Sequence, residues 1–423
     1  MEKYLIVIFI LYLLVVISDY LLEYLNLSHL KKYGASIPPE FEGYIDQALL
    51  KKTQDYVIEN TKFEVVSSVF HTIIFIFFLF GNLLNIYNSW IASLRLPFIL
   101  SGLIFFLLLF YADTLLKIPF DLYHTFKIEN SYGFTTTTRR LWITDLIKSL
   151  AISTILMTII LSGGLLIVQV SPNLWWLWVW CLFLAFSIII MYIFPYVIEP
   201  LFNKFTPIED EKLQEGIRSI MQRVGIKVKK VLKMDASKRT KHTNAYFTGI
   251  GKVKRIILYD TLLEKMDNDE TLSVLAHEVG HWKKRHLIKH LIASECIALI
   301  ALYISYRLVQ SDFFIHLFHI KDATFFAKVV TLGFLGSLVA FPFTPVFHFF
   351  SRRHEIEADR FSCELTGNSK SMISTLIKLS KDNLSNLHPH PLYAAFHYSH
   401  PPVLERIKRI KQGQISNLLP QRH

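Results

Sequence analysis

Cysteine and charge are both scarce in this 423-residue sequence. Cys181, Cys296 and Cys363 are odd in number and widely spaced, which excludes a disulfide framework and a CxxC metal site. Charged residues make up only 19% of the chain, and no internal repeat or low-complexity tract is visible. The cysteines are therefore interpreted as small apolar residues, and a set of ordinary soluble domains is not the expected organisation.

Apolar residues, by contrast, are abundant. Hydrophobic residues make up 52% of the chain and aromatic residues 14%, and the mean hydropathy is positive. These values predict a polytopic membrane protein. The first apolar run is predicted to be an uncleaved span, because it is long and lacks the small-residue cleavage site of a signal peptide. Runs of about 20 residues, enough to cross a bilayer, predict seven spans near 4–25, 65–87, 96–116, 146–170, 175–197, 287–305 and 325–350.

The positive charge gives an orientation. The formal net charge is +11, and Lys and Arg are concentrated in the segments 26–64, 117–148, 198–286 and 351–423. Because insertion keeps basic residues near span ends on the cytosolic side, we expect the N-terminus outside and the C-terminus in the cytosol. Basic residues beside spans are typical of attraction to anionic lipids. No nucleic-acid-binding motif accompanies them, so nucleic acid is not an expected partner.

An HExxH pattern occupies residues 277–281. On a helix, this pattern places the imidazoles of His277 and His281 one turn apart, with the carboxylate of Glu278 beside them. A zinc-dependent peptidase holds its metal and its general base in this way. Zinc would polarise a peptide carbonyl and lower the pKa of water, and Glu278 would take the proton of that water and pass it to the leaving amine.

The flanks of the pattern indicate a helix at a membrane surface. Residues 267–270 form a capping and first-turn signal ahead of the apolar residues of the helix. Lys283, Lys284 and Arg285 then lead directly into the sixth apolar run. The pattern is therefore expected just outside a span, unlike that of site-2-type proteases, in which the HExxH lies inside an apolar span.

A catalytic zinc usually takes three protein ligands, so a third donor is expected on the same membrane face. The last two spans carry the chain out and back, which returns residue 351 onward to that face. On a helix, Glu355 and Asp359 share one face, whereas Glu357 points elsewhere. We predict Glu355 as the third ligand and Asp359 as a carboxylate that orients a ligand histidine. His354 and Glu357 are predicted to be solvated. The alternative is that this cluster is only the charged flank of the last span.

With these residues in hand, the sequence resembles the type I CAAX prenyl endopeptidases, which are integral-membrane HExxH zinc metalloproteases. The resemblance covers nearly the whole chain. It rests on seven spans, the HExxH, and an RxxExxAD-like element at Arg352, Glu355, Ala358 and Asp359. Similar blocks also lie within 119–134, 242–247 and 397–406. The resemblance implies an all-α polytopic membrane protein of about seven transmembrane helices, with a zinc metalloprotease (gluzincin) domain and a small β-hairpin at the cytoplasmic end.

The block after residue 242 predicts a strand pair. Residues 244–247 and 256–259 are expected to form two short strands joined across Gly249 and Gly251. An exposed strand edge beside a zinc site can bind an extended peptide. The resemblance implies that substrate-binding role for the strand of Asn244, Ala245 and Tyr246. The alternative is a hairpin that merely packs on the catalytic helix.

The block near residue 400 predicts a rigidly held imidazole. His400 precedes two prolines, which restrict the backbone, and it could donate to the oxyanion of a tetrahedral intermediate. The resemblance puts His400 and Arg406 near the scissile bond or the carboxylate of the substrate. Without the resemblance, His400 is a turn residue. Glu357 stands where relatives often have Gln, which is expected to matter little at an outward-facing position.

The favoured function is a membrane-embedded zinc metalloendopeptidase with one Zn²⁺ per chain. Its expected partners are membrane lipids and a polypeptide substrate that is isoprenylated at its C-terminus or otherwise held at the membrane, and the protein is expected to be a monomer. The sequence ends without a retrieval signal, which leaves the compartment open; we expect the endoplasmic reticulum membrane if the source is a eukaryote and the inner membrane if it is a bacterium. The predicted segments are 1–197 with five spans, 198–286 with the hairpin and HExxH helix, 287–350 with two spans, and 351–423 with the third ligand and the substrate-positioning loop.

Two other functions stay open at this point. A quality-control metalloprotease would share the zinc site but degrade misfolded membrane proteins; related heat-shock proteases have fewer spans. A transporter or channel would make the HExxH a coincidence. Asp19, Glu23, Asp113 and Glu295 could be cited for a transport path. The first three lie near span ends, however, and no series of charges traces a path.

Overall fold

The chain is mostly helical, with one small sheet. The computed structural model describes residues 2–225, 230–248, 255–311, 317–318, 320 and 324–418. Within these ranges the α-helices are α1 (Glu2–Tyr33), α2 (Gln47–Leu79), α3 (Leu83–Ser93), α4 (Phe98–Tyr123), α5 (Asn130–Tyr132), α6 (Arg139–Val170), α7 (Trp175–Ile193), α8 (Glu199–Phe202), α9 (Glu211–Val224), α10 (Asp260–Lys265), α11 (Asn268–Lys283), α12 (His286–Val309), α13 (Phe325–Ala340), α14 (Thr344–Thr366), α15 (Ser369–Asp382), α16 (Pro391–His397) and α17 (Val403–Leu418). The strands are β1 (Phe205–Pro207), β2 (Lys230–Met234), β3 (Ala245–Thr248) and β4 (Arg255–Tyr259). Short 3-10 or π-helical segments lie at Pro39–Phe41, His124–Glu129, Phe194–Ile198, Ala236–Lys238 and Phe341–Phe343.

Seven helical segments in the described part of the chain are long and apolar enough to cross a bilayer. Many of their large apolar side chains point outward: Leu14, Ile155 and Ile300 are 54%, 59% and 60% exposed. A continuous exposed apolar surface of this kind is stable against lipid and not against water. The prediction of seven spans is therefore confirmed. The segments are Lys3–Tyr33, Gln47–Leu79, Phe98–Tyr132, Arg139–Val170, Trp175–Phe202, His286–Val309 and Phe325–Thr366.

The second predicted span, near 65–87, is wrong in its position. α2 ends at Leu79, and Asn82 has a left-handed φ of 66° before α3 begins. A left-handed residue interrupts a right-handed helix, so the apolar residues from 83 onward belong to α3 and not to the span. Apolar character alone does not reveal this break.

Spans that are neighbours in sequence are also neighbours in space. α1 contacts α2, α2 contacts the π-helical end of the third span, and α4, α6, α7 and α12 contact one another in turn. α13 contacts both α12 and α1, which closes the ring. At this closure the rings of Tyr12 and Phe334 meet edge to face with centroids 5.6 Å apart.

A four-stranded sheet follows the fifth span. Its strand order is β1-β2-β4-β3, in which β1–β2 and β4–β3 are antiparallel and β2–β4 is parallel. The predicted strand pair is present as β3 and β4, with Ala245 opposite Leu258. The prediction of a hairpin alone is nevertheless incomplete. β1 and β2 extend the strand pair on the β4 side into a four-stranded sheet, so β3 lies at an edge. The predicted connection across Gly249 and Gly251 lies outside the described residues.

One hydrophobic core joins this sheet to the HExxH helix. It contains Ile217 and Met221 of α9, Leu258 of β4, and Leu275 and Val279 of α11, each at most 3% exposed. Burying such a side chain contributes about 1.5–3 kcal/mol. The sheet and α9 therefore hold one face of α11 in place.

A second core holds the C-terminal helices beside the start of α2. Phe41 and Leu50 pack with Met372 and Leu376 of α15 and with Ile407 of α17. Both α15 and α17 also contact α14. The second core thus brings the residues after 350 to the same end of the ring as α11.

Candidate active site

The HExxH helix α11 begins with a capping box. Asp267 accepts the N–H of Glu270 at 2.9 Å, and the Glu270 carboxylate accepts the N–H of Asp267 at 3.0 Å. The same carboxylate receives Ser374 and Lys378 of α15, each at 2.6 Å. The predicted helix start at 267–270 is confirmed, and it also ties the HExxH helix to the C-terminal segment.

Helices α11 and α14 approach closely at Gly280. A Cβ built on Gly280 would lie 3.2 Å from the Cα of Ala358 and 3.2 Å from the ring of Phe361. Alongside, Ser362 donates its hydroxyl to the carbonyl of Ser273 at 2.7 Å. The glycine of the HExxH therefore lets the acidic face of α14 reach the two histidines.

His277, His281 and Glu355 meet at one point. Each of the three residues offers one possible ligand atom, and within the described ranges these three atoms lie within 4.8 Å of one another. The two Nε2 atoms are 3.1 Å apart, and the Glu355 oxygens lie 3.3 Å from Nε2 of His277 and 3.2 Å from Nε2 of His281. Glu355 is 5% exposed, and its buried Oε2 receives no hydrogen bond.

This donor set fits a divalent cation. Two neutral imidazoles and one carboxylate are the protein ligands of one common kind of catalytic zinc site. A buried carboxylate oxygen without a donor is costly unless a cation or a proton donor meets it. The structure thus brings the three predicted ligands together, and their role as ligands stays a prediction.

Asp359 lies behind His277. Its Oδ1 is 2.9 Å from Nδ1 of His277, the ring nitrogen opposite the one that faces Glu355. Burial lowers the pKa of His277, but the Asp359 and Glu355 carboxylates outweigh burial and raise it to about 9. The same two carboxylates would also favour a bound cation, which would take the place of that proton on a neutral imidazole. The position agrees with the predicted orienting role of Asp359, which remains a prediction.

His281 has a backing partner that the sequence analysis misses. Nδ1 of His281 is 3.1 Å from Nδ1 of His286, and Nε2 of His286 is 3.2 Å from Oε2 of Glu357. His354 stacks on His286 with ring centroids 4.0 Å apart and planes 10° apart. Glu357 and His354 are partly exposed, in keeping with the prediction that they are solvated, but each also has a contact in this cluster that the prediction does not include. The available signal was the position of His286 five residues after His281, at the start of the next helix.

Glu278 is half-buried on α11 between the two histidines. The negative charge of Glu278 acts on Arg406, which pairs with Asp359 behind His277. Burial lowers the pKa of Arg406, but Asp359, Glu355 and Glu278 together raise it above its usual value. The predicted general base is thus within electrostatic reach of the cluster formed by the two helices.

His400 reaches the same cluster from the C-terminal segment. Its Nε2 lies 3.4 Å from Oε1 of Glu355, and its side chain is 61% exposed. Its Nδ1 is 2.9 Å from the hydroxyl of Ser399. The structure therefore brings His400 to the candidate metal site, with one ring nitrogen inward and the other held by a neighbour that the sequence analysis does not single out.

Arg352 holds the segment that leads to His400. Its Nη1 donates to the carbonyls of Ala394 at 3.1 Å, Ala395 at 3.3 Å and Tyr398 at 2.9 Å. Arg352 lies just under one turn before Glu355 on α14. One helix therefore carries the third candidate ligand and fixes the loop of His400.

Arg406 has a partner that its prediction does not include. The resemblance implies that it lies near the scissile bond or the carboxylate of the substrate, which stays a prediction, and the structure pairs it with Asp359: Nε donates at 2.7 Å and Nη2 at 2.6 Å. The side chains of Arg406 and Asp359 are only 13% and 4% exposed. Two of its three nitrogens are thus committed to a buried carboxylate, so the contacts support a structural role.

The sheet edge presents the three predicted substrate-binding residues differently. β3 contacts α11, and Asn244, immediately before it, is exposed. Ala245 is buried in the core, and the hydroxyl of Tyr246 donates to Glu199. Asn244 is therefore the one of the three with an exposed side chain, and any peptide at this edge would be held by the backbone of β3.

Two family models match the chain in succession. The model described as CAAX prenyl protease N-terminal, five membrane helices, matches residues 26–204, and that of peptidase family M48 matches 207–414. The junction falls at β1, the first strand of the sheet, just after the fifth span.

Relatives and a solved structure match along almost the whole chain. CAAX prenyl protease 1 of Saccharomyces cerevisiae is 34% identical, with 91% of this chain and 89% of the relative covered. The CAAX prenyl protease 1 homolog of Homo sapiens is 30% identical, with 90% of each covered. The crystal structure of S. mikatae Ste24p has a TM-score of 0.87 at 30% identity and covers 96% of this chain and 98% of that one. This chain therefore belongs to the CAAX prenyl protease 1 family of multi-pass membrane metalloendopeptidases, within peptidase family M48.

Proposed function

We propose that this protein is a zinc endopeptidase that cuts prenylated CAAX polypeptides, or other membrane-held polypeptides, near their C-terminus. The observation that carries this proposal is the convergence of His277, His281 and Glu355. These residues would hold one Zn²⁺ per chain. Bound zinc supplies Lewis-acid polarisation of the scissile carbonyl and makes water more acidic.

Glu278 is the general base in this proposal. Its carboxylate takes a proton from the attacking water, which makes the water a stronger nucleophile. It then passes that proton to the nitrogen of the departing amine, so the peptide bond breaks without release of an amide anion. Glu278 lies on α11 between the two candidate histidine ligands. This position would place its carboxylate beside the scissile carbonyl of a bound substrate.

His400 is the oxyanion donor. A histidine is mostly neutral above a pH of about 6.5, so it carries one N–H. The ionised carboxylate of Glu355, which faces Nε2, can only accept a hydrogen, so it favours the tautomer with the proton on Nε2, and the hydroxyl of Ser399 can then donate to Nδ1. Nε2 is the nitrogen that faces Glu355, so its N–H is directed toward the reacting carbonyl.

The peptide is held along β3. An extended polypeptide that adds to the edge of the sheet gains main-chain hydrogen bonds, and its direction brings a nearby peptide bond to α11. Asn244 supplies an exposed amide at the start of this edge. The three substrate residues 244–246 would then contribute chiefly through their backbone.

The substrate class follows from the membrane position and from the relatives. The two curated relatives described above are named for CAAX prenyl proteolysis. The candidate ligands lie immediately before α12 and in the last turns of a segment that begins as the seventh span. A peptide whose C-terminal region is anchored by an isoprenyl chain is thereby delivered to the site.

The proposed orientation has the N-terminus outside or lumenal and the catalytic end cytoplasmic, since most basic residues lie at that end. The host membrane would be the endoplasmic reticulum in a eukaryote and the inner membrane in a bacterium. We propose a monomer, because the three candidate ligands come from one chain and the site needs no second copy. Membrane lipids would surround the spans, and nucleic acid is not a proposed partner because no nucleic-acid-binding motif accompanies the basic residues.

The test is cleavage of a farnesylated CAAX peptide and its unprenylated twin by the purified protein in detergent, with zinc content measured in parallel. We expect cleavage of the prenylated peptide, its loss on chelation, and its loss in Glu278→Gln at unchanged zinc content. Glu264→Gln, an exposed glutamate upstream of the HExxH helix, is the matched control and should cleave normally.

Each contrary outcome removes a defined part of the proposal. Equal cleavage of both peptides would replace prenyl-substrate processing with general membrane-protein turnover. Full activity in Glu278→Gln would reject the general base. Zinc bound normally by His281→Ala would reject the metal site itself.

A further inference from the structure

The two candidate histidine ligands are backed by different groups. Nδ1 of His277 faces a carboxylate directly, whereas Nδ1 of His281 lies 3.1 Å from Nδ1 of His286. We propose that His286, supported by Glu357, is the positioning residue that sets the tautomer and ring orientation of His281. This inference rests on the proposed metal site and adds a function to two residues that the mechanism does not use.

The proton positions follow from what each group can accept. An ionised Glu357 only accepts, so Nε2 of His286, 3.2 Å away, must carry a hydrogen. A neutral His286 then has a lone pair on Nδ1, and the hydrogen between the two Nδ1 atoms belongs to His281. That leaves the lone pair of His281 on Nε2, the nitrogen that faces Glu355. A metal ligand must present this lone pair.

His286 is held firmly enough to perform this function. It is 2% exposed and is the first residue of α12, directly after Arg285 with its left-handed φ of 57°. His354 of α14 stacks on its ring, and His354 in turn lies 3.0 Å from His290. The imidazole is thus fixed by α11, α12 and α14 together, and its two nitrogens have one partner each.

Glu357 completes the arrangement from α14. One oxygen receives His286, and the other lies 3.8 Å from Nε of Arg353. The carboxylate is 38% exposed, so it stays ionised and hydrated without a buried positive partner. The chain of contacts therefore runs from solvent through Glu357 and His286 to His281.

Two substitutions at one position separate this role from mere filling of space. In His286→Asn the side-chain oxygen can occupy the position of Nδ1 and accept from His281. In His286→Gln the longer amide reaches the position of Nε2 and meets Glu357, but offers nothing at Nδ1. Both variants are polar and smaller than histidine, so a packing role predicts equal effects.

The measurement is the zinc dissociation constant of the purified full-length protein by chelator competition, with the zinc release rate alongside. Losing an outer partner of a metal ligand typically costs about 10- to 100-fold in affinity. We expect His286→Gln to bind zinc about 10- to 100-fold more weakly, and His286→Asn and Glu357→Gln, which keep their acceptors, to stay close to wild type. His290→Leu, in the same imidazole cluster but without contact to His281, should also bind like wild type.

The inference is overturned if the Asn and Gln variants bind zinc equally well, whether both are weak or both are normal, or if Asn is the weaker. Failure of this inference can be told apart from failure of the proposed metal site. If His277, His281 and Glu355 do not bind zinc, the His281→Ala variant will bind zinc as well as wild type does.

Discussion

Arg406 offers a sharp test, because α17 carries a second arginine–carboxylate pair that is exposed. Arg406 and Asp359 are 13% and 4% exposed in their side chains, whereas Arg409 and Glu405 are 52% and 45% exposed. Both arginines donate through Nε and Nη2 to one carboxylate. The two pairs differ in burial and in placement, because Arg406 binds both oxygens of a carboxylate on α14 whereas Arg409 binds one oxygen of a residue on its own helix.

Removing each arginine should have very different consequences. Arg406→Leu leaves the buried Asp359 carboxylate without its arginine and with only His277 beside it; breaking a buried pair in this way typically costs about 3–5 kcal/mol in the free energy of unfolding. Arg409→Leu breaks a solvated pair, for which about 0.2–1 kcal/mol is usual. Thermal unfolding of the two variants in the same detergent, followed by loss of the monodisperse peak in size-exclusion chromatography, compares them directly.

The outcome also decides between two roles for Arg406. If the arginine binds the carboxylate of the substrate, Arg406→Leu raises KM and leaves the unfolding midpoint near that of Arg409→Leu. If the arginine is structural, as we expect, Arg406→Leu leaves KM nearly unchanged and lowers the unfolding midpoint far more than Arg409→Leu does. The double variant Arg406→Leu/Asp359→Asn should then recover part of the lost stability. Equal midpoints for the two leucine variants would refute this structural role.

Three further predictions concern the frame around the site. Gly280→Ala should lower stability by about 1–3 kcal/mol and weaken zinc binding, because the added methyl meets the backbone of Ala358 at 3.2 Å; thermal unfolding and chelator competition measure the two effects. Arg352→Met should lower kcat at unchanged zinc content, since the loop of His400 loses three carbonyl contacts, and steady-state kinetics with metal analysis checks this. His242 should stabilise the fold in a pH-dependent way: burial lowers its pKa, but hydrogen bonds to the carboxylate of Glu129 and to Asn383 raise it above its usual value. Its contribution is thus fully present below a pH of about 6.5 and is lost as pH rises through the folded-state pKa, which unfolding midpoints of wild type and His242→Gln across pH should reveal.

Two of these predictions have a matched control variant. Gly413→Ala, on α17 where a Cβ meets nothing within 4 Å, should not destabilise the protein. Arg360→Met, at a side chain that is 81% exposed, should leave kcat unchanged. The reasoning fails if Gly280→Ala behaves like Gly413→Ala, if Arg352→Met keeps full kcat, or if the His242→Gln difference grows as the pH rises.

The three candidate metal ligands could be predicted because local spacing on two helices largely determines which side chains share a face. HExxH fixes two histidines one turn apart, and the i, i+4 rule pairs Glu355 with Asp359. Apolar run length likewise gives the number of spans. These features depend on neighbours along the chain, and the sequence displays those neighbours directly.

The remaining features depend on contacts between distant segments. The Arg406–Asp359 pair and the hydrogen bonds of Arg352 join residues about 40 to 50 positions apart, and no periodicity marks them. Glu357 points away from Glu355 as predicted, but α12 passes that side and supplies His286. The sequence does not reveal β1, because this strand is only three residues long. It does not reveal β2 either, because β2 pairs in parallel with β4, and β3 lies between them in the sequence.

The candidate ligands are divided between α11 and α14, with two membrane crossings between them. A growing chain that has been synthesised only as far as α13 therefore carries the HExxH helix but no third ligand, and it also lacks Asp359, His400 and Arg406. If Glu355 is the third ligand, as proposed, peptidase activity would begin only after the seventh span has returned to the starting face and the C-terminal helices have docked. The order of synthesis would then keep the protease inactive until its last segment is in place.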